Sequence, residues 1–539
     1  MTTIKRIASN RLLRLISLFL LLAIALRWFY PLETAPNINI AQRPALNSAR
    51  AATEWYVSPT GEQSNTGSID SPWNLSYALA GAGDSIQPGD TVWMRGGTYG
   101  DGTTRFDSTL DGTEGNRITV RQYSGERATI NGQLRVNGSN WIDYWGFDIM
   151  HPTYGPGYDA ARDAGIWTLT SSNNRFINLT IHDVYGSSAF GFWSAATSSE
   201  IYGSLIYENG RQDDNLDHGI YTQNGDGTKG IRDNFIFNNW AYGIHAYGSE
   251  IARVDNYLVQ GNTFINNGRG NQGDVLLGGS GNSNNLQFLN NYLYNSLQYT
   301  NGVQFGYTGG HQSMKFNNNY IAMKGEYRGL FSRRFNNIEV TGNTIMGLAL
   351  VGRLPNVDGM VSENWNNNSY YQIGSASAFY DGSYMQFDAW KTATGYDASS
   401  TLTSGQPTGT VKAVRPNEFE SNRSHITVYN WDNLDSVSLS SSDLSGTGIS
   451  SGDTYAIKDV QNYFGDPIAT GTYNGSEISV TLPDTGSPVY QPASGSAPAH
   501  TSKQFNAFVL TYTPATYHTI TPSVSGQGSL SISSPTQVL

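Results

Sequence analysis

The sequence predicts an all-β protein, a right-handed parallel β-helix followed by a small C-terminal β-sandwich. Three observations predict this fold. The 539-residue chain contains 60 glycines, 33 tyrosines and only 14% charged residues, a composition that favours strands joined by tight turns. An Asn followed by alternating apolar residues recurs every 24 to 30 residues, as a stacked solenoid requires. A second strand pattern, marked by glycine, runs between these copies.

The N-terminus is predicted to be a signal peptide or a membrane anchor (residues 1–30). Basic residues precede the apolar run 15–26, which is long enough for a signal sequence but short for a membrane span. Both cleavage and retention as an anchor stay open. Residues 31–53 are a linker rich in Pro, Asn and Ala, and no later segment is apolar enough to span a membrane.

Residues 54–398 are predicted to form the β-helix with its end caps. Stacked Asn side chains can hydrogen-bond to one another and to the turn backbone, which would satisfy polar groups inside the solenoid. The copies of the motif begin at Asn178, Ser204, Asn234, Asn262, Asn291, Asn319 and Asn343.

The glycine-marked strand predicts one buried and one outward row of side chains, because strand residues alternate between the two faces. The inward row is predicted to contain Ile166, Phe192, Ile220, Ile244, Val303 and Leu330. The outward row is predicted to contain Trp167, Trp193, Tyr221, His245, Gln304 and Phe331. Such a row would form an aromatic stripe along a groove.

The repeat fades after about residue 350. Residues 364–396 are predicted to cap the solenoid, and a linker follows at 399–410. Residues 415–513 contain short strands without a coil period, which predicts the β-sandwich as an accessory domain. Residues 514–539 are interpreted as the start of a truncated repeat module or as a tail.

Charge and cysteine content restrict the function. The chain has no cysteine, so disulfides and thiolate metal sites are excluded. A net charge of −11 and the lack of a basic cluster argue against nucleic-acid binding. An acidic polysaccharide would need a cation or a local group of Arg or Lys to offset repulsion.

The segments Trp55–Gly61 and Pro88–Tyr99 resemble the N-terminal cap and first coils of pectate-lyase-like β-helix proteins. The run Asp213, Asp214 and Asp217 also resembles the calcium-binding run of family-nine pectate lyases. That resemblance implies Ca²⁺ bound by these three carboxylates. The family's further upstream Asp and its Lys base have no assigned counterpart in this sequence. A solvated acidic loop is the alternative interpretation of the run.

Two histidines are the strongest candidates for proton transfer. His218 and His245 lie 27 residues apart in adjacent predicted coils, and Tyr221 is predicted on the same face. A His or Tyr there could abstract or donate a proton. His218 could instead point inward or cap a turn. His182, beside Asp183, lies on a different strand and is expected to be structural.

Three further residues are predicted to bind substrate. Trp167 and Trp193 would offer flat apolar faces to sugar rings, unless a loop such as Tyr154–Tyr158 covers them. Arg333 and Arg334 could bind a uronate carboxylate through two hydrogen bonds. Alternation lets only one of these arginines face the groove, and Arg333 is the predicted one.

We therefore expect a secreted or cell-surface polysaccharide lyase, monomeric, that cleaves an extracellular uronate polymer such as pectate or alginate by β-elimination. Ca²⁺ or Arg would neutralise the carboxylate, and a base in the groove would remove the C5 proton. Two alternatives stay open: a glycoside hydrolase that uses two of the Asp residues, and a glycan-binding surface protein without catalysis. No serine-nucleophile motif, phosphate-binding loop or zinc signature is present.

Overall fold

A computed structural model describes residues 51–152, 164–210, 215–298, 300–355 and 362–516, together with the backbone of 518–520 and 536–538. It is a parallel β-helix in which the complete coils contribute one strand to each of three sheets. The sequence patterns identified two of these strands, and the strand of sheet 1 was missed. The predicted N-terminal signal, most of the linker, and most of the segment after 514 lie outside the described residues.

Sheet 1 precedes the Asn turn and has twelve parallel strands. They are Glu54–Val57, Thr91–Met94, Ile118–Gln122, Ile142–Trp145, Arg175–Ile177, Glu200–Tyr202, Lys229–Arg232, Val254–Gln260, Ser283–Leu289, His311–Asn317, Phe335–Thr341 and Ser362–Asn366.

Sheet 2 follows the Asn turn. Its strands are Asp148–His151, Thr180–Val184, Leu205–Tyr207, Phe235–Phe237, Thr263–Ile265, Tyr292–Asn295, Tyr320–Met323, Thr344–Gly347, Ser369–Gln372 and Thr401–Ser404. The last strand pairs in parallel with Ser369–Gln372, so the solenoid continues one rung past residue 398 into the predicted linker.

Sheet 3 contains the glycine-marked strands. They are Ile166–Thr168, Phe190–Phe192, Ile220–Thr222, Ile244–Ala246, Gly273–Leu277, Asn301–Phe305, Arg328–Arg333, Ala349–Leu354 and Phe379–Asp381, which Tyr384–Met385 joins antiparallel. Two long N-terminal strands, Gly97–Ser108 and Ala128–Val136, run along both sheets 2 and 3. A further short pair is Ser171–Ser172 with Ala196–Thr197.

Apolar side chains of all three sheets fill the solenoid, and two short helices close its core. The six residues predicted to point inward from sheet 3 are all buried. Five of them share one row, and Phe192 lies two positions further along its strand. Helix Leu75–Leu79 buries Leu75 and Leu79 near the N-terminal end. Helix Phe387–Thr394 buries Phe387 and Trp390 against the last coils.

The predicted Asn ladder is present from Asn234 to Asn368. At each step the side-chain oxygen of one Asn accepts the backbone N–H of the preceding one, as in Asn262 to Asn291 at 2.9 Å. The amide nitrogen of Asn262 also donates to the Ile231 carbonyl at 2.7 Å, so buried polar groups are satisfied along the axis. The remaining ladder members are Asn319 and Asn343.

The first motif copy was assigned one residue out of register. Thr180 pairs with Leu205 and Leu205 with Phe235, so Leu179 rather than Asn178 occupies the ladder position. Asn178 has a left-handed backbone with φ of 51°. Its side-chain oxygen accepts from Asn417 of the C-terminal unit at 2.7 Å.

A second, shorter Asn ladder ends on a buried carboxylate. Asn209, Asn239 and Asn267 bond in series, and the amide of Asn267 donates to Asp274 Oδ1 at 3.1 Å. Asn295 donates to Asp274 Oδ2 at 2.7 Å. Burial nevertheless raises the pKa of Asp274 to about 7, because the charged form is poorly solvated there.

This shift predicts a pH-dependent stability. The folded pKa of Asp274 lies above the unfolded value of about 3.9, so its contribution is full below pH ~4 and is lost as the pH rises through 7. The free energy of unfolding of the unmodified protein should decrease between pH 4 and 8. We expect this decrease to be smaller in Asp274→Asn, by up to about 4 kcal/mol. Urea unfolding of both proteins across this range checks it, and parallel profiles would contradict it.

The C-terminal unit consists of two antiparallel sheets over one apolar core. The larger sheet contains Thr410–Pro416, Arg423–Asn430, Phe505–Thr513, Thr454–Asp459 and Ala469–Thr472, and the smaller contains Ser436–Ser440 and Glu477–Thr481. A 3₁₀ turn spans Val460–Asn462. The predicted β-sandwich corresponds to this unit, which begins five residues before the predicted boundary. Beyond it, His518–Ile520 pairs with Thr536–Val538.

The sandwich packs directly against sheet 2 of the solenoid. One buried apolar cluster combines Tyr207, Phe237 and Tyr294 of sheet 2 with Tyr429 and Phe505 of the sandwich. The accessory unit is therefore part of the molecule's core structure, and sheet 2 is covered. Sheet 3, with its outward row, is not part of this interface.

Helices of the described residues are short, and none is long and apolar enough to cross a membrane.

Candidate functional site

The outward face of sheet 3 places the predicted aromatic and histidine side chains in one row. Backbone pairing sets Tyr221 directly opposite Gly191 on one side and His245 on the other. The row, in rung order, is Asp107, Arg135, Trp167, Gly191, Tyr221, His245, Leu276, Gln304, Phe331, Gly352 and Tyr380. Asp107 is the carboxylate among them, and it lies at the N-terminal end of the row, 3.4 Å from Nε of Arg135.

Trp193 lies one outward position further along its strand than predicted. Phe190, not Phe192, pairs with Ile166 and Ile220, although both phenylalanines point inward and are buried. Trp193 therefore stands beside the row, with its ring 5.3 Å from the ring of Tyr221. Its position at the edge of the row agrees with a surface that a sugar ring could contact.

The two predicted histidines meet across adjacent rungs. His245 Nδ1 lies 2.8 Å from His218 Nε2, and the ring centroids are 4.2 Å apart. His218 is 1% exposed and lies just before its strand, next to the marking glycine. Tyr242 holds the corresponding position one rung later, because it also precedes a marking glycine. The pair is thus diagonal rather than directly opposed.

The hydrogen bonds fix the protonation of this pair. The backbone N–H of Tyr242 donates to His218 Nδ1 at 3.3 Å, so neutral His218 carries its proton on Nε2 and donates it to His245 Nδ1. His245 then carries its own proton on Nε2, which has no hydrogen-bond partner among the described residues. The geometry makes His245 an N–H donor toward the groove.

Burial keeps both histidines neutral at ordinary pH. It lowers the pKa of His245 to about 4. It lowers the pKa of His218 well below its usual value, and the charge of a protonated His245 lowers it further. In each ring the nitrogen with the lone pair, Nδ1, already accepts a hydrogen bond. The histidines are therefore better suited to donate hydrogen bonds than to abstract a proton.

Tyr221 is the other group that can move a proton. Its ring lies 5.6 Å from that of His245, and its hydroxyl accepts from the Gln223 amide at 3.3 Å and donates to the Tyr247 carbonyl at 3.4 Å. Burial raises the pKa of Tyr221 above its usual value near 10. A phenol in this position is a proton donor at neutral pH and becomes a base only in alkaline solution.

Further aromatic rings, which the sequence patterns did not single out, complete the surface. Tyr242 stacks on His245 at 4.9 Å with an interplanar angle of 10°. Tyr247 lies 5.4 Å from His245, and Tyr307 lies 5.6 Å from Tyr247. Tyr242 could have been found, because it occupies the position of His218 in the next coil.

The other predicted substrate-binding residues lie on opposite sides of the histidine pair along the solenoid. Trp167 is 7% exposed and lies 5.0 Å below the guanidinium of Arg135, so its ring offers little free surface in the described residues. The loop proposed to cover it, Tyr154–Tyr158, lies outside those residues. Arg333 is half-buried, with its guanidinium carbon 4.8 Å from the Phe331 ring.

Of the three predicted metal ligands, only Asp217 is described. Asp217 is 1% exposed, and its Oδ2 accepts the backbone N–H of Gly186 at 3.0 Å. Asp213 and Asp214 lie outside the described residues. Within the described part of the chain, which omits Asp213 and Asp214, no three His or carboxylate residues are grouped as a metal site would require.

A buried lysine supports the groove from inside the solenoid. Lys229 Nζ donates to the carbonyls of Phe192, Trp193 and Gln223 at 3.1, 2.8 and 2.6 Å. Burial lowers the pKa of Lys229, but three acceptors require three N–H groups, which only the ammonium form has. Lys229 thereby holds the backbone at Trp193 and Gln223.

We expect Lys229→Met to lower the free energy of unfolding by about 3 kcal/mol, because it leaves buried carbonyl groups without this donor. The change removes the charge while keeping a side chain of similar length. Urea unfolding checks the prediction. Lys315→Met, at a half-exposed position on sheet 1, is the control and should change stability by less than ~0.5 kcal/mol.

His182 is structural, in agreement with expectation. Its side chain is buried beneath the sandwich, where Nδ1 bonds Asp183 Oδ2 at 2.7 Å and the Tyr490 hydroxyl at 2.9 Å. This group lies on sheet 2, away from the outward row of sheet 3.

Comparison with known proteins agrees with the fold. No protein-family model matches the chain. Pectate lyase PEL9 of Emericella nidulans is 27% identical over 161 residues, 26% of this chain and 36% of the relative. Pectate lyase L of Paenibacillus polymyxa is 26% identical over 160 residues, 28% of this chain and 32% of the relative. The chain thus matches about a third of each relative's length.

Among solved structures, pectate lyase Pel9A aligns with a TM-score of 0.31 and 15% identity, over 66% of this chain and 78% of that one. The coil geometry makes this chain a parallel β-helix protein, and part of it is similar in sequence to the two pectate lyases.

Proposed function

We propose that this protein is a polysaccharide lyase that cleaves a uronate polymer by β-elimination on the outward face of sheet 3. The carrying observation is that this row presents Tyr221 and His245, both neutral at ordinary pH and flanked by aromatic rings, while its carboxylate, Asp107, lies four rungs before Tyr221. Aromatic faces suit the apolar faces of sugar rings. The relatives' names, both pectate lyases, agree with this reaction class.

In the proposed reaction the uronate carboxylate accepts the His245 Nε2–H, which favours negative charge on the carboxylate as the C5 proton leaves. The phenolate form of Tyr221 takes the C5 proton, and the electron pair forms the C4–C5 double bond. The C4–O bond breaks, and Tyr221 returns the same proton to the departing oxygen. Tyr221 ends the cycle as a phenolate, so protons and electrons balance.

His218 acts through His245 as a positioning residue. Its Nε2–H occupies His245 Nδ1 and so keeps the His245 proton on the groove side. Arg333 is proposed to bind a carboxylate further along the chain, as two N–H groups of a guanidinium can. Trp167 and Trp193 are proposed to contact sugar rings, with Trp193 the better placed of the two.

No step is assigned to a metal ion. Ca²⁺ bound by Asp213, Asp214 and Asp217 stays a prediction from the sequence. Asp217 is buried and already bonded to the Gly186 backbone.

A hydrolase would need two carboxylates across the scissile bond. The described outward row of sheet 3 supplies one, Asp107, which lies four rungs from Tyr221 and pairs with Arg135, and this favours the lyase. We further propose that the protein acts outside the cell, since the basic and apolar N-terminus is typical of exported chains. We also propose that it is a monomer.

The test is a panel of polygalacturonate, alginate and a neutral polymer, assayed with and without a chelator. A lyase produces unsaturated ends that absorb in the ultraviolet, a hydrolase produces reducing ends without that absorbance, and a binding protein retains polymer without shortening it. We expect absorbance from a uronate polymer alone. Reducing ends without absorbance, or binding without cleavage, would overturn the proposal.

A further inference from the structure

Two arginines lie on the same face of sheet 3, further along the solenoid than the histidine pair. Arg328 precedes the marking glycine of its strand, in the position that His218 and Tyr242 hold in their coils, and Arg333 ends the same strand. Phe331 lies between them in the outward row, three rungs beyond His245. At the usual strand spacing this separation is about 14 Å.

Two rungs of sheet 3 separate the histidine pair from the arginines. Leu276 and Gln304 are the row members there. Gly278 and Gly306 follow next on their strands, each with a positive φ, of 139° and 73°. A side chain at Gly278 would come within 2.6 Å of the Gly306 backbone. Leu276 and Gln304 are themselves buried, and the Tyr307 ring connects the two groups, 5.6 Å from the Tyr247 ring and 5.8 Å from the Arg333 guanidinium carbon.

Both guanidiniums pack on aromatic rings. The guanidinium carbons of Arg328 and Arg333 lie 4.9 and 4.8 Å from the Phe331 ring. Arg328 also lies 4.7 Å from the Tyr380 ring and donates to the Tyr384 hydroxyl at 2.7 Å. Stacking on these rings holds both guanidiniums in place.

No carboxylate among the described residues pairs with Arg328 or Arg333. Arg353, one rung further along the solenoid, is paired. Arg353 donates to Glu363 and Asp381, both at 2.9 Å. The Nε atoms of Arg328 and Arg333 are buried and make no hydrogen bond within the described part of the chain. Two arginines without a carboxylate partner among the described residues stand out in a chain whose net charge is −11.

The positive charges also repel one another. Burial lowers the pKa of Arg333, and the charges of Arg328 and Arg334 lower it further. Like charges held close together cost free energy unless an anion offsets them. The arrangement is the local basic cluster that an acidic protein needs to hold an acidic polysaccharide.

We infer that Arg328, Phe331 and Arg333 form a distal subsite that binds a carboxylate of an anionic polysaccharide whose chain continues from the histidine pair. This inference rests on the proposed function, which supplies the direction in which the polymer runs along sheet 3. It adds that the substrate is anionic. Each arginine would contribute N–H groups to carboxylate oxygens, while Phe331 supports the sugar ring. The site would thus select long, acidic chains over short or esterified ones.

The test measures binding apart from cleavage. Tyr221→Phe serves as the background, so that the polymer stays intact, and the probes are polygalacturonate and its methyl-esterified form, which share a backbone and differ in charge. We expect Arg328→Gln with Arg333→Gln to weaken binding of polygalacturonate at least tenfold near 0.1 M salt and to reduce its salt dependence. Binding of the esterified probe should be weak and unchanged.

Arg334→Gln is the matched control. It makes the same charge change one residue away, at an exposed position where Nη1 bonds the Thr308 carbonyl at 3.0 Å. We expect a change below twofold. Equal losses in the control and in the double variant would show general electrostatics instead of a subsite, and unchanged binding in the double variant would also overturn the inference.

The two proposals fail separately. If the unmodified protein produces unsaturated ends and the double variant binds polygalacturonate normally, the subsite is wrong and the lyase stands. If the protein binds polygalacturonate through both arginines but never cleaves a uronate polymer, the subsite stands and the proposed function is wrong.

Discussion

Tyr221→Phe is expected to lower kcat/KM on a uronate polymer by about 10³-fold, within the usual range for loss of a general acid–base group. The substitution removes only the hydroxyl that carries the proton. The ring keeps its contacts with Trp193 and His245, so polymer binding should be retained. Initial rates of ultraviolet absorbance for the two proteins check this expectation.

Tyr327→Phe is the control for that variant. Tyr327 is 41% exposed and lies outside the outward row, so its loss of a hydroxyl should leave the rate within about twofold. A Tyr221→Phe protein that keeps more than a tenth of the activity, with unchanged stability, would remove Tyr221 from the reaction.

Tyr429→Ala is expected to lower the free energy of unfolding by about 4 kcal/mol, as for other large buried aromatic residues. Tyr429 is fully buried between the sandwich and sheet 2. Its ring lies 4.2 Å from Tyr320 and 4.9 Å from Phe505, and its hydroxyl lies 3.0 Å from the carbonyls of Leu293 and Tyr320. Chemical denaturation followed by circular dichroism measures the loss.

Tyr429→Phe separates the hydroxyl from the ring. It keeps the packing and removes one donor, so we expect a loss of about 1–2 kcal/mol. Because the sandwich and the solenoid share this core, the unmodified protein should unfold in one transition. A loss below 1 kcal/mol for Tyr429→Ala would contradict the description of the sandwich as an integral part of the fold.

The solenoid could be predicted because two strands of each coil carry a fixed marker. Alternation then identified inward residues such as Ile220 and Ile244 correctly. Sheet 1 was missed because its strands share no marker residue, as Glu200–Tyr202 and Lys229–Arg232 illustrate. The register error at Asn178 arose because Asn also favours the left-handed turn next to the ladder position.

The candidate site was predictable in part. The coil period brought His218, Tyr221 and His245 together, since stacking converts sequence spacing into proximity. The period does not encode the direction of a hydrogen bond, so the donor state of His245 depends on the Tyr242 backbone and needed coordinates. The docking of Tyr429 on sheet 2 is a long-range contact without any local pattern.

The pH dependence of polymer cleavage tests the central claim most directly, namely that Tyr221 transfers the proton while both histidines stay neutral. Burial raises the pKa of Tyr221 and lowers that of His245 to about 4. The logarithm of kcat/KM should therefore rise by about one per pH unit from pH 7 into the alkaline range, with no inflection at pH 6–7. A limb near pH 6–7 would assign the proton transfer to a histidine with an ordinary pKa and contradict this account.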